Sequence, residues 1–208
     1  VARIAILGAT GKLGDHLIAR ALEQGFSVNA LARDPRRIKR QNEKLTIIKG
    51  DAETGEGLDA AVEHCQYVIS AVGSLFPVME KCATHLVPRL EGLKALKRFV
   101  FISRLGTGET LQQSTRVSGP LQSRLPVLLM PLFKDINLAE KAIRESRLPY
   151  TIVRATRLTD DPPTDAVTMV GAHEPPPHRI GRADLARFVV GMLEWTEYHR
   201  SEMTVGTK

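Results

Sequence analysis

Three evenly spaced glycines, in the segment Gly-Ala-Thr-Gly-Lys-Leu-Gly, constrain the fold of this chain more than any other feature. Before them, residues 4–7 are all apolar, which is typical of a strand buried on both faces, and residues 12–24 carry apolar side chains at helical spacing. Gly8 permits a tight turn, Gly11 lets backbone N–H groups approach an anion, and Gly14 permits close packing of the helix on the strand. Because the helix N-terminus presents free N–H groups and a positive dipole end, the pattern predicts a pyrophosphate-binding turn.

Strand and helix patterns alternate along the first two-thirds of the sequence. The predicted strands are residues 4–7, 26–32, 45–48, 67–72, 98–103 and 150–153, and the predicted helices are 12–24, 58–64, 78–95, 136–146 and 182–195. Nearly continuous apolar strands that alternate with helices indicate right-handed βαβ units and a parallel sheet. We therefore predict an α/β fold, a doubly wound parallel sheet of the Rossmann type with helices on both faces.

Length and composition narrow the remaining possibilities. A chain of 208 residues predicts a single domain over 1–208, with two substrate-side loops at about 106–133 and 156–181. No apolar run approaches the length of a membrane span. The net charge is +6, but the basic residues are scattered and aromatic residues are only 5%, so a nucleic-acid partner is not expected. Cys65 and Cys82 fit no disulfide or metal pattern, which predicts a reduced, cytoplasmic protein without a metal.

The residues after the second strand predict the choice of cofactor. Enzymes that select NAD usually place an acidic residue there to hold the ribose 2′-hydroxyl. This chain has Arg33 at that point, with Arg36 and Arg37 close behind. A guanidinium suits a 2′-phosphate, so the pattern favours NADPH over NADH. Asp34 is the alternative NAD-type acid, although the Pro35 that follows it favours a capping role.

Further cofactor contacts are expected where other strands end. Asp51, after the third strand, is predicted to bind the adenine amino group beside the Ala52 backbone; capping of the next turn is the alternative. The backbone after the fourth, fifth and sixth strands is expected on the ribose and nicotinamide side. The full predicted set is Gly8, Thr10, Gly11, Lys12, Leu13, Gly14, Arg33, Arg37, Asp51, Ala52, Val72, Gly73, Ser103, Ala155 and Thr156.

Several segments resemble the atypical short-chain dehydrogenase/reductases, in the NAD(P)H-binding, NmrA-like branch. They are residues 30–38, 50–51, 98–103, 139–146 and 150–154, beside the spaced glycines. Within that branch, residues 157–160 and 179–186 are most similar to biliverdin reductase B, also called flavin reductase, and its bacterial relatives. The resemblance covers essentially the whole chain. It implies an NADPH-dependent reductase that transfers hydride to flavins, linear tetrapyrroles or similar conjugated acceptors through a wide, shallow pocket.

The catalytic pair of classical short-chain dehydrogenases is absent. None of Tyr67, Tyr150 and Tyr198 has a lysine four residues later. Reduction of carbonyls by the tyrosine route is therefore disfavoured, whereas a flavin ring is already an electron sink. Ser103 and Arg157 are the candidates for orienting the acceptor. A turn-forming role for the serine and an ion pair with Asp160 or Asp161 for the arginine remain open.

Other side chains near the predicted acceptor site have less defined roles. Arg104 stands where relatives more often have a small hydroxyl residue, and Lys134 is expected to be solvated. Candidates for an apolar floor under a planar ring are Phe76, Leu105, Phe133 and Leu158. The missing catalytic pair leaves a second function open, a non-catalytic NADP(H)-binding sensor or regulatory protein. We expect a small-molecule partner, no membrane or nucleic acid, and a monomer or weak homodimer.

Overall fold

The computed structural model describes residues 1–73, 76–107, 126–164, 166–171 and 174–207. Its strands are β1 (Arg3–Leu7), β2 (Ser27–Ala32), β3 (Leu45–Lys49), β4 (Tyr67–Ser70), β5 (Arg98–Arg104), β6 (Tyr150–Ala155), β7 (Arg157–Thr159), β8 (Val167–Val170), β9 (Arg179–Gly181) and β10 (Ser201–Thr207). Its helices are α1 (Lys12–Glu23), α2 (Leu58–Val62), α3 (Met79–Glu91), α4 (Pro126–Glu145) and α5 (Arg182–Gly191).

One sheet contains all of the described strands, in the order β3-β2-β1-β4-β5-β6-β10-β9-β7, with β8 also paired to β10. The strands from β3 to β6, and β10 beside β6, are parallel. The chain moves outward from β1 to β3 and then returns to β4 on the other side of β1. This reversal opens a crevice at the carboxyl ends of β1 and β4, where ligands bind in such sheets. The predicted doubly wound parallel sheet is confirmed.

The core forms two layers because side chains alternate between the faces of each strand. In β1, Ile4 and Ile6 pack with α1 and α5, whereas Ala5 and Leu7 pack with α2, α3 and α4. All four side chains are fully buried. This explains why the segment has no polar residue, since neither of its faces reaches water.

The carboxyl-terminal third differs from the sequence prediction. Strands β7 to β10 were not predicted, because they are short or carry polar residues and follow proline-rich segments. The helix predicted over 136–146 begins earlier, at Pro126, and accommodates Pro131 inside it. The helix predicted over 182–195 ends its α-helical part at Gly191 and continues as 3-10 turns. Most of the loop predicted at about 106–133 lies outside the described residues.

Candidate functional site

A cavity of about 290 Å³ lies at the carboxyl ends of the strands from β3 to β4. It includes nine of the predicted cofactor residues: Gly8, Thr10, Gly11, Arg33, Arg37, Asp51, Ala52, Val72 and Gly73. A larger cavity of about 380 Å³ lies between the segment after β7 and the start of α5, and it contains no residue of the predicted set. The smaller cavity is therefore the candidate cofactor site.

The glycine turn is held in place by close backbone contacts. Gly8 has φ of +78°, and a Cβ atom there would lie 2.4 Å from the carbonyl oxygen of Ala71. A Cβ atom at Gly14 would lie 2.3 Å from the carbonyl oxygen of Gly8. Gly11 is the N-cap residue of α1 and no side chain caps the helix there. The first N–H groups of α1 are thus oriented as an anion-binding end requires.

At the end of β2, the acidic residue Asp34 and the basic residues Arg33 and Arg37 have different surroundings. The Asp34 carboxylate accepts the backbone N–H of Arg36 at 3.2 Å and its guanidinium Nε at 2.9 Å. The hydrogen bond from Arg36 lowers the pKa of Asp34. The acid caps the Pro35–Arg37 turn, as predicted. Arg33 and Arg37 line the cavity, and neither guanidinium has a hydrogen bond or an ion pair to a described residue.

The loop after β3 forms the outer wall of the cavity. Asp51 Oδ1 accepts the backbone N–H of Glu53 at 2.9 Å, so this carboxylate caps a turn while the residue also lines the cavity. Glu53 Oε1 is 2.9 Å from Lys81 Nζ on α3. The two alternatives for Asp51 are therefore compatible, and its contact with adenine stays a prediction.

The cofactor set predicted from the sequence omitted seven residues that line the cavity at the end of β2, in the loops after β3 and β4, and at the start of α3. They are Leu31, Ala32, Gly50, Glu53, Ala71, Val78 and Cys82. Burial, together with the nearby carboxylates of Asp51 and Glu53, raises the pKa of the Cys82 thiol to about 12, so this side chain is a neutral thiol. Val78 and Cys82 are brought there by Asp135 on α4, whose carboxylate accepts the N–H groups of Val78, Met79 and Glu80 at 2.8–3.1 Å. No local pattern links an aspartate with a helix so far away in the sequence.

Six members of the predicted cofactor set lie outside the cavity: Lys12, Leu13, Gly14, Ser103, Ala155 and Thr156. The ammonium of Lys12 donates to Asp160 Oδ2 at 2.7 Å, and the same carboxylate pairs with Arg182. Leu13 and Ala155 are in the apolar core. The Thr156 hydroxyl is buried and has no hydrogen-bond partner among the described atoms. These contacts leave the predicted cofactor roles untested.

Ser103, the predicted acceptor contact, belongs to a buried polar network. Its hydroxyl donates to Glu140 Oε1 at 2.7 Å, and the residue is only 7% exposed. Glu140 also accepts the Arg154 guanidinium at 2.6 Å, and Arg154 reaches Glu202 on β10. The Ser103 hydroxyl is thus engaged by Glu140, and its contact with an acceptor stays a prediction. The sequence could have predicted this network from Arg154, since a charged residue in a buried strand requires a partner.

Glu140 is ionised despite its burial. Burial alone raises the pKa of Glu140, but the hydrogen bonds and charge of Arg154, with the hydroxyls of Ser103 and Thr107, outweigh it and lower the pKa below 4.5. The network joins β5, β6 and α4 into one unit beside the cavity. It holds position rather than carrying protons, because a carboxylate with a lowered pKa is a poor base.

The remaining acceptor candidates are dispersed along the same edge. Arg157 is exposed on β7, and the two aspartates suggested as its partners pair elsewhere, Asp160 with Lys12 and Asp161 with Arg179. Of the predicted apolar floor, Phe76 is 75% exposed, whereas Leu158 packs against the core. The acceptor-orienting role of Arg157 stays a prediction.

Comparison with known proteins gives the family. The NAD(P)H-binding family pattern matches residues 8–195, which include the glycine turn and α5. The chain belongs to this family, and the predicted resemblance to atypical short-chain dehydrogenase/reductases is confirmed. The class of protein is thus an NAD(P)H-binding protein of the reductase and dehydrogenase type.

Individual relatives are distant. An uncharacterized chloroplastic protein of Arabidopsis thaliana is 29% identical in an alignment of 180 residues that covers 80% of this chain and 63% of that protein. This chain therefore spans less than two thirds of the relative's length. Two solved structures share the fold: an anaerobilin reductase from Escherichia coli O157:H7 and a short-chain dehydrogenase/reductase from Veillonella parvula in complex with NADP. The first has a TM-score of 0.83 at 19% identity over 99% of this chain and 97% of its own. The second has a TM-score of 0.74 at 22% identity over 99% and 94%.

The described residues contain neither a membrane-spanning helix nor a candidate metal site. None of the described helices combines the length and the apolar character that crossing a bilayer requires. Within the same residues, no group of His, Cys, Asp and Glu side chains is suited to hold a metal ion. The cytoplasmic location stays a prediction, since the plant relative is described as chloroplastic.

Proposed function

We propose that this chain is an NADPH-dependent reductase that transfers hydride to a flavin, a linear tetrapyrrole or a similar conjugated acceptor. The observation that carries the cofactor choice is the pair Arg33 and Arg37, which line the cavity without an ionic partner among the described residues while Asp34 is held by Arg36. The 2′-phosphate of NADPH would be the anionic partner of these two guanidinium groups.

The cavity residues fit the parts of a dinucleotide in order. The turn from Gly8 to Gly11 and the N-terminus of α1 would bind the pyrophosphate, and the close contacts at Gly8 and Gly14 keep this cradle free of side chains. Asp51 and Ala52 would bind the adenine, and the backbone at Val72 and Gly73 would approach the ribose beside the nicotinamide. When bound, the nicotinamide supplies the hydride, and the chain supplies binding and orientation.

The position of the tyrosines supports a conjugated acceptor. Tyr67 begins β4, Tyr150 begins β6 and Tyr198 precedes β10, so all three tyrosines of the chain lie toward the amino edge of the sheet, away from the cavity. No phenol is therefore available to exchange a proton with a substrate carbonyl. A flavin or tetrapyrrole takes the hydride into its ring system, and water can provide the proton. The name of the Escherichia coli anaerobilin reductase, which shares the fold, agrees with a tetrapyrrole acceptor.

A non-catalytic NADP(H)-binding sensor is the second candidate. It is favoured by the engagement of the Ser103 hydroxyl with Glu140, which leaves this strand end without a free side-chain donor from the serine. A sensor would use the same cofactor cavity, and the two proposals differ only in hydride transfer.

A set of turnover assays separates the two candidates. Purified protein is given NADPH with FMN, FAD, biliverdin or a quinone, and the nicotinamide absorbance is followed. The reductase proposal predicts that at least one conjugated acceptor gives NADPH oxidation above background. With that acceptor, NADPH should be oxidised faster than NADH at equal concentration. Tight NADPH binding with background oxidation for every acceptor would overturn the reductase proposal and support the sensor.

A further inference from the structure

The end of β5 presents an arginine toward the part of the edge that the cofactor cavity does not cover. The cavity stops at Gly73, after β4, and β5 is the next strand of the sheet. Arg104 is the last residue of β5 and lies opposite Ala155, the last residue of β6. A dinucleotide that fills the cavity from its adenine to the ribose beside Val72 and Gly73 would extend its nicotinamide over these two strand ends. Arg104 thus stands beside the position where the nicotinamide and an acceptor would meet.

A fixed turn determines where Arg104 lies. The backbone N–H of Leu105 donates to the carbonyl oxygen of Ala155 at 3.1 Å, and Gly106 has a left-handed φ of +98°. The Thr107 hydroxyl lies 2.9 Å from the Arg104 carbonyl oxygen and 2.8 Å from Glu140 Oε1. Thr107 is fully buried. Because the backbone is held at both ends, presentation of the arginine costs only the ordering of its own side chain.

The charge of Arg104 has no ionic partner among the residues that the structure describes. Its side chain is exposed and has no hydrogen bond or ion pair with the residues that the structure describes. Three other cations are paired with the aspartates directly after β7: Lys12 and Arg182 share Asp160, and Arg179 contacts Asp161. Arg157 begins β7, two residues after Ala155, and its exposed side chain likewise has no ion pair with a described residue.

We propose that Arg104 is a specificity-determining residue that binds an anionic group, a phosphate or a carboxylate, of a planar conjugated acceptor. The proposal rests on the reductase function above and adds the charge of its substrate. A guanidinium forms paired hydrogen bonds with both kinds of anion, so the residue itself accepts either. Thr107 acts as a positioning residue for this contact through the turn that it closes.

Two pairs of matched ligands test the charge of the acceptor. FMN and riboflavin differ in one phosphate, and biliverdin differs from its dimethyl ester in the charge of two carboxylates. Equilibrium binding is measured on protein saturated with NADP⁺, from flavin fluorescence or bilin absorbance, so that the cofactor cavity is filled and no turnover is needed. We expect the charged member of one pair to bind about 3- to 5-fold more tightly, the range of an exposed ion pair. The difference should shrink at high salt.

Variants assign the preference to one residue. Arg104→Gln should remove the charge preference and leave NADPH binding unchanged. Arg147→Gln is the matched control, because Arg147 is exposed between α4 and β6, toward the opposite edge, and its substitution changes the net charge equally. Thr107→Val should reduce the preference for the charged ligand, whereas Thr107→Ser, which keeps the hydroxyl, should retain it.

The binding measurements can overturn the anion contact of Arg104 in three ways. Equal binding within both pairs, or a preference that survives in Arg104→Gln, overturns it and leaves the reductase function standing. Weaker NADPH binding by Arg104→Gln also overturns it, because the arginine would then belong to the cofactor. A charge preference that depends on Arg104 without any hydride transfer supports the anion contact and counts against the reductase function.

Discussion

Gly8 and Gly25 both have a left-handed backbone, but only Gly8 faces the backbone of another strand. Their φ angles are +78° and +84°, and no atom lies within 4 Å of a Cβ atom built at Gly25. At the same backbone conformation, two different costs oppose a side chain at these positions. Backbone strain applies to both residues, whereas steric exclusion by Ala71 applies to Gly8 alone.

Substitution of each glycine by alanine measures these costs. Gly25→Ala should lower the free energy of unfolding by about 1 kcal/mol, from the left-handed backbone. Gly8→Ala should cost about 1–3 kcal/mol more, because the strand end at Ala71 must move, and should weaken NADPH binding. Urea denaturation and NADPH titration of both variants provide the test. Equal losses of stability would show that the turn at Gly8 is not tightly packed.

Residue roles were predictable where the partner is nearby in the sequence. The capping by Asp34 follows from the adjacent Pro35, and it leaves Arg33 and Arg37 at the cavity. Ser103 shows the opposite case. Its partner Glu140 is 37 residues away on a helix, and only the folded sheet brings the two together.

Among the elements, α3 depends on a cap that another helix supplies. Asp135 on α4 accepts three N–H groups at the start of α3, where no side chain of the N-cap residue Val78 does so. This contact sets the position of Val78 and Cys82 in the cavity wall.

Loss of the cap should affect both stability and cofactor binding. Asp135→Ala should lower the free energy of unfolding by about 1–2 kcal/mol, the usual cost of a lost helix cap, and should weaken NADPH binding. Asp135→Asn, which keeps one acceptor oxygen, should lose less. Thermal unfolding with and without NADPH measures the two effects. If Asp135→Ala bound NADPH as tightly as the unsubstituted chain, α3 would not be positioned by this cap.

Elements with a strong apolar period were predicted, and elements that depend on context were not. The central strands are buried on both faces and therefore consist of continuous apolar runs. In β10, polar Thr204 and Thr207 are buried with apolar Met203 and Val205, so the strand has no clear period. The early start of α4 was missed because Pro126 and Pro131 suggest a loop. Pro126 begins the helix, where proline is compatible with the first turn, but Pro131 stands inside it, where proline is normally unfavourable.

At the scale of the whole molecule, the Glu140 network joins β5, β6, α4 and β10. The pKa of Glu140 lies below its ordinary 4.5 in the folded protein, so its contribution to stability is complete above that pH. The contribution is lost as pH falls through the folded pKa, because the protonated acid no longer pairs with Arg154.

Glu140→Gln makes this dependence measurable. At neutral pH the variant should be less stable by about 3 kcal/mol, since Arg154 is left buried with one partner fewer. The difference from the unsubstituted chain should shrink as the pH falls from 4.5 through the lower pKa of Glu140 in the folded protein, where this carboxylate becomes neutral. Urea denaturation across this pH range provides the measurement. A difference that stays constant with pH would mean that the charge of Glu140 does not stabilise the fold.

Cofactor choice is the central claim, and the dissociation constants of NADPH and NADH test it most directly. Nicotinamide fluorescence is followed for the unsubstituted chain, Arg33→Gln, Arg37→Gln and the control Arg147→Gln. We expect NADPH to bind at least about 10-fold more tightly than NADH, and each cavity variant to lose much of this preference without weakening NADH. The control should retain the preference. Equal or tighter binding of NADH by the unsubstituted chain would contradict the assignment of Arg33 and Arg37 to a 2′-phosphate.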